Sequence, residues 1–304
     1  MTAAFARPST LSANLICMAS MLIWAAGLPA ADLLIVHIPP LPLTALRMAL
    51  AAGVLLPLWL LADGRAVVAG AQWGRGILVG GIGFGVGSYL LIFAQSRTDA
   101  VTVAVISATM PVIGIALECL LDGRRLRAGL VAGLALSLAG GLLTYGGKLG
   151  AVGFGLGALA AFASVVCFTW GSRATVISFP ALSPIGRTAI TLTGGALATG
   201  IAAITQISLG GPAPDWAALG AREISALLLY GFGALALSQI LWIISVGQLG
   251  IGLAALHINA APFYVMLFLY ALGGSWEWMQ VLGAAIVGFG VIIAQGLMPR
   301  RARN

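Results

Sequence analysis

Ten apolar runs, each long enough to span a bilayer as a helix, fill this chain almost end to end. They fall at about 11–31, 41–62, 75–95, 100–121, 127–146, 151–171, 182–206, 223–246, 250–272 and 277–297, bounded by charges, proline or glycine. A helix rises about 1.5 Å per residue, so about 20 apolar residues reach across a hydrocarbon core of about 30 Å. Of the 304 residues 61% are hydrophobic and 8% charged, whereas soluble domains carry roughly 25% charged residues. A soluble fold could not solvate such a surface, so the chain reads as an all-α polytopic membrane protein with the lipid bilayer as its surroundings. The first run follows Arg7 and ends in small residues near Ala30, as a cleaved signal peptide would. Its full spanning length and its later counterpart predict a retained helix instead. Connections are short except 207–222, where GGPAPDW predicts an ordered or interfacial loop.

An excess of Lys+Arg (15) over Asp+Glu (8) would suggest nucleic acid as a partner of a soluble protein. Here no nucleic acid is expected, because the excess follows loop parity. Arg7, Arg65, Arg75, Arg124, Arg125, Arg127, Arg173, Arg300, Arg301 and Arg303 fall on one side of the predicted spans; Arg97, Lys148 and Arg222 fall on the other. Ten against three predicts both termini in the cytoplasm.

The chain also repeats. Shifted by 151 positions, 94–111 lies over 245–262 without a gap and Pro111 falls on Pro262. Proline within a helix removes a donor and crowds the carbonyl four residues back, here that of Ser107 or Ile258, so both prolines are expected to act as hinges. Arg47 and Arg187 sit early in the second span of each half, and Trp24 and Trp170 late in the first. Five spans per half is an odd number, which predicts two inverted repeats, 1–146 and 147–304, the second ending in a basic cytoplasmic tail. Matched breaks in inverted halves point to a site between them. Glycines at helical spacing (Gly76, Gly80, Gly83, Gly87) and the pairs Gly129/Gly133 and Gly153/Gly157 predict close helix packing.

Candidate ligand-binding residues cluster near the breaks. His257 and Asn259 precede Pro262, and Ser107 and Thr109 precede Pro111. His257 equally fits a neutral imidazole bonded to a backbone carbonyl. Ser88 aligns with Gln239; Tyr89 lies beside the first, and Trp242 shares a helix face with the second. Tyr89 and Trp242 suit the aromatic walls of a small-ligand pocket, although aromatics in membrane helices also face lipid or pack in cores. Trp24 and Trp170 fit an interfacial belt, but the depth of Trp24 and the pairing of the two favour a place inside the repeat, where they are candidates for substrate binding. Arg47 and Arg187 suit either a substrate carboxylate or a structural clamp on helix ends. The acids Asp32, Asp63, Asp99, Glu118, Asp122, Asp215, Glu223 and Glu277 all lie in loops or near predicted helix ends, and Glu118 is expected to pair locally with Arg124 or Arg125. A carrier of organic cations would need a central carboxylate. Cys17, Cys119 and Cys167 lie in apolar runs without metal-ligand spacing and read as small buried hydrophobes. No catalytic, metal-binding or cofactor motif is present; Ser245 and His257 form the single conceivable dyad. An enzyme is therefore not expected, and no cofactor.

TALRMAL (44–50), ISATMPVIGIAL (106–117), LRAGLVAGLALSLAGGLL (126–143), SPIGRTAI (183–190), NAAPFYVMLFL (259–269) and MQVLGAAIVGFGVII (279–293) together resemble the EamA-type branch of the drug/metabolite transporter superfamily. Within it the chain is most similar to the bacterial YddG-type exporters of aromatic amino acids. Where that family usually carries Gly-Glu before the fifth helix of each half, this chain has Gly123-Arg124 and Gly273-Gly274. The resemblance implies ten transmembrane helices around a central cavity, in the bacterial inner membrane, exporting amino acids. Facilitated diffusion is expected, with proton exchange or multidrug export as the alternatives, and a monomer is favoured.

Overall fold

The structure, a computed structural model, describes residues 9–97, 103, 106–143, 155–271, 273, 275–276 and 278–296. Arg7, Asp99, Lys148, Gly153, Gly274, Glu277, Arg300, Arg301 and Arg303 lie outside the described residues, as do the boundary at 146/147 and parts of several expected spans. Among the described residues every regular element is helical.

Helix α1 (Thr10–Ile35) is interrupted at Ala26, and its start is capped by Ser9, whose Oγ accepts from Ser12 N at 3.2 Å. Helix α2 (Pro40–Asp63) opens on proline, where the missing N–H is no loss. It ends at Gly64, whose φ of 84° a side chain would resist. A short helix, Arg65–Ala69, leads to α3 (Trp73–Arg97), which carries a π-helical stretch at Gly81–Val86. Then follow α4 (Met110–Asp122), α5 (Ala128–Leu143), α6 (Leu156–Ser178) and α7 (Pro184–Ser208). The loop after α7 is ordered: it holds a 3₁₀ turn, Trp216–Ala218, and Asp215 N donates to His37 O at 3.0 Å. Helix α8 (Ala221–Leu249) carries a second π-helical stretch, Leu229–Leu237. Helix α9 runs through Ile251–Ala260, tightened to 3₁₀ over Leu256–Ala260, and on through Ala261–Ala271. Helix α10 is Trp278–Ala294.

Six of these helices, α1, α2, α3, α6, α7 and α8, are long and apolar enough to cross a bilayer. Shorter apolar helices, Ala128–Leu143, Ile251–Ala260 and Val281–Ala294, accompany them. The protein is a multi-pass membrane protein.

The two prolines do not sit inside unbroken helices. Pro111 stands in the first turn of α4 and Pro262 in the first turn of the second part of α9. Before α4 the chain turns at Ala108 and Thr109, where Thr109 Oγ1 donates to Ile106 O at 2.6 Å and Ser107 Oγ to Val103 O at 2.8 Å. Hydroxyls thus take up carbonyls that the break would orphan, as a low-dielectric interior requires.

Packing is pairwise: α1 lies on α8, α2 on α7 and α8, α3 on α6 and α7, α4 on α9, and α5 on α10. Small residues set the approach. A Cβ on Gly83 would lie 2.5 Å from Gly171 Cα, and one on Gly140 would lie 2.6 Å from Gly283 O. Lipid supplies no hydrophobic drive between helices, so contact of this closeness is what dispersion needs to hold them together. The interior where α1, α2, α3, α6, α7, α8 and α9 meet is apolar, built around Met48, Trp59, Phe84, Ile190, Leu192 and Trp242.

Candidate functional site

A cavity opens where these pairs converge, with about 740 Å³ of empty space including the part open to the outside. Several segments contribute to its wall. Ser20, Met21 and Trp24 come from α1, Arg47 from α2, and Ser88 and Leu91 from α3. Ser107 comes from the break before α4, Met110 from the first residue of α4, Phe168 from α6, and Ile258 from α9. Ser238, Gln239 and Trp242 come from α8.

The π-helical stretches position the wall residues of α3 and α8. Each i→i+5 turn widens the helix and releases carbonyls from their usual partners. Just past the first stretch, Gly87 O accepts from Ser164 Oγ of α6 at 2.6 Å. Just past the second, Ser238 O accepts from Ser20 Oγ of α1 at 2.8 Å. One residue further along each helix, Ser88 and Gln239 face the cavity. Trp242, three residues after Gln239, is held by a bond from its Nε1 to Ser172 Oγ at 2.9 Å. Its ring lies 6.2 Å from that of Phe168, which in turn meets Phe84 edge-on at 5.5 Å. This chain of rings fixes one aromatic wall.

Arg47 is 4% exposed. Its Nη1 donates to Tyr230 Oη, and its Cζ stands 4.0 Å over the centre of the Tyr230 ring. Arg47 Nε and Gln239 Nε2 are buried and have no protein partner. Two ion pairs occur among the described residues, Arg124–Glu118 and Arg173–Asp122, and Arg47 belongs to neither. Of the described acids, none lines the cavity.

Of the residues expected from sequence, the cavity brings together Trp24, Arg47, Ser88, Ser107, Gln239 and Trp242. The others stand elsewhere. Arg187 donates from Nε to Phe179 O (2.8 Å) and Leu182 O (2.9 Å) and from Nη2 to Pro180 O (2.8 Å), clamping the turn before α7. His257 is buried with Nδ1 3.2 Å from Ala254 O, and Asn259 Nδ2 donates to Ser137 Oγ of α5 at 3.0 Å. Both therefore engage main chain or α5 rather than the cavity. Tyr89 is half-buried with its ring 6.0 Å from that of Phe93, Trp170 is half-buried off the wall, and Thr109 is spent on Ile106 O. Glu118 pairs with Arg124 as expected and also accepts from Gly252 N at 3.0 Å, so it caps the start of α9. The cysteines are free.

Sequence reasoning missed Tyr230, Phe168, Met21 and Met110. Position 79, the counterpart of Tyr230 under the shift of 151, is Val79, so the repeat carries no signal for the tyrosine. Phe168 sits two residues before Trp170, and the choice between them depends on helix rotation.

A multi-pass helical protein enclosing a cavity with a cationic and an aromatic side has the general form of a small-molecule carrier or binding protein. Comparison with known proteins adds a family likeness: residues 11–146 match the EamA-like transporter family. Among solved structures, one titled "Crystal structure of protein" has a TM-score of 0.78 and 24% identity, covering 97% of this chain and 100% of that chain. That likeness is one of fold. No curated protein matches the chain.

Proposed function

We propose that this protein is a transporter of small molecules that exports amino acids, with large or aromatic side chains favoured, through the cavity by alternating access. The observation that carries the reading is the cavity itself, walled by α1, α2 and α3 together with α6, α8 and α9. The family likeness of residues 11–146 supports a transport role over an enzymatic one.

Alternating access needs two halves that can exchange places, and the packing supports an inverted five-helix repeat, 1–146 and 147–304. Renumber each helix by its counterpart five later or earlier. Then α1 on α8 becomes α6 on α3, α2 on α8 becomes α7 on α3, and the pairs α2/α7, α4/α9 and α5/α10 map onto themselves. The first π-helical stretch, shifted by 151, falls at 232–237, within the second. The serine bonds to Gly87 O and Ser238 O exchange in the same way, because 87 and 238 differ by 151. Pro111 and Pro262, at the starts of half-helices, are the natural hinges. The arginine distribution supports a cytoplasmic location for both termini, in a bacterial inner membrane.

Among the described residues the cavity wall offers no carboxylate to exchange a proton with the substrate, which favours facilitated diffusion. It also disfavours organic cations. The test is flux in proteoliposomes against a panel of amino acids. Saturable flux of the aromatic members, indifferent to an imposed pH gradient, is expected. No saturable flux of any amino acid would sink the reading, and flux of organic cations in its place would install multidrug export.

A further inference from the structure

Arg47 and Gln239 both line the cavity, and each carries a buried donor, Nε and Nε2, without a partner among the described residues. The guanidinium is a permanent cation, and Arg47 is 4% exposed. A buried charge without a counter-ion is among the costliest features a fold can carry. Tyr230 relieves this only in part: its hydroxyl occupies Nη1 and its ring covers one face of the guanidinium, while Nε stays open. Gln239 Nε2, a neutral donor on the same wall, is unmatched too.

Of the remaining serines of the wall, all but Ser88 have already spent their protons. Ser20, Ser107, Ser164 and Ser238 each donate to a main-chain carbonyl. What the cavity offers a ligand carboxylate is therefore hydrogen-bond donation from a cation and an amide, and none of the described acids stands on the wall to receive an ammonium group. From these residues we infer that the cavity recognises its ligand through a carboxylate held by Arg47 and Gln239, and that it accepts aromatic monocarboxylates lacking an amino group as readily as the matching amino acids. The inference rests on the reading of this cavity as the transport site. The limit to one carboxylate follows from Arg187. At the matching place in the second half it holds three carbonyls of the turn before α7 and does not line the cavity, so among the described residues Arg47 is the wall's one cationic donor. The aromatic preference follows from Trp24, Phe168 and Trp242 on the cavity wall.

Purified full-length protein in proteoliposomes, loaded for counterflow of labelled L-phenylalanine, is challenged with 3-phenylpropanoate and 2-phenylethylamine. These differ from phenylalanine by loss of the amine and of the carboxylate respectively. The expected result is that 3-phenylpropanoate competes within about threefold of unlabelled phenylalanine, while 2-phenylethylamine is weaker by about tenfold or more, as loss of a charge-assisted contact requires. Gln239→Glu, which sets a carboxylate on the wall, should move the preference toward the amine. The wild-type comparison decides the matter even where that variant fails to fold. If the amine competes and the propanoate does not, carboxylate recognition is overturned while transport stands. If phenylalanine is not carried, the same three compounds are tested by thermal stabilisation of the detergent-solubilised protein. Stabilisation by the propanoate alone, or by it and phenylalanine, sustains the inference although the amino-acid export reading fails. Stabilisation by the amine alone, or by none of the three, overturns it.

Discussion

Arg47 and Arg187 occupy matching places early in their helices, yet their surroundings give them opposite energetics. Arg187 binds three carbonyls of the turn before α7, so removing it leaves those acceptors unpaired. Arg187→Ala is expected to cost about 2–3 kcal/mol, read as a lower melting temperature, with KM for the transported amino acid unchanged. Arg47 carries an unmatched Nε inside the protein. Neutralising it removes an uncompensated charge, and such replacements are often neutral or stabilising. Arg47→Gln should therefore leave the melting temperature within a few degrees while raising KM by about tenfold or more, the scale of one lost charged contact. If both variants lose stability and keep their KM, the two arginines are clamps alike. Trp242 gives a third case. Ser172→Ala strands its Nε1–H, bonded at 2.9 Å, at about 1–3 kcal/mol; Ser172→Thr, which keeps the hydroxyl, should restore most of the melting temperature.

At the scale of elements, the helix interfaces decide stability through glycine. Gly83 and Gly171 bring α3 and α6 so close that a Cβ on the first would lie 2.5 Å from the backbone of the second. Gly83→Ala must part the helices and is expected to cost about 1–3 kcal/mol. Gly53→Ala, with open space around the new methyl, should be neutral in the same thermal assay. Gly250, at φ 81°, lets Glu118 approach the start of α9; Gly250→Ala both strains that φ and pushes the carboxylate off its cap. These element-level features differ in how visible they were from sequence. Long apolar runs, the proline pair and the glycine spacing are local patterns, and the helices follow them. The π-helical stretches leave no mark, because no residue type encodes an i→i+5 turn. The misplacement of His257 and Asn259 has a definite cause. A 3₁₀ stretch advances about 120° per residue against about 100° in an α-helix. From Leu256 that difference accumulates to about 40° by His257 and about 80° by Asn259, which turns Asn259 toward α5. Trp242 and Gln239 were legible because α8 is regular α-helix from Ser238 onward. Tyr230 lies within a π stretch, 183 positions from the arginine it supports, where neither periodicity nor repeat reaches.

For the molecule as a whole, orientation is the first thing to check. A fluorescent protein that matures only in the cytoplasm, fused after Asn304, is expected to glow; a dark fusion paired with an active periplasmic phosphatase at the same point would invert the topology. The cavity wall then has a consequence for energy. With none of the described acids on the wall, a carboxylate carried as proposed would cross without a proton, so the cargo's own charge would set how the membrane voltage acts on the carrier. An inside-negative voltage of 100 mV is worth about 2.3 kcal/mol for each charge moved, or about a fiftyfold concentration ratio. Zwitterionic phenylalanine should leave proteoliposomes at a rate indifferent to a potassium diffusion potential, whereas 3-phenylpropanoate efflux should quicken when the inside is made negative. For anionic cargo the resting cell would act as a battery already wired for export.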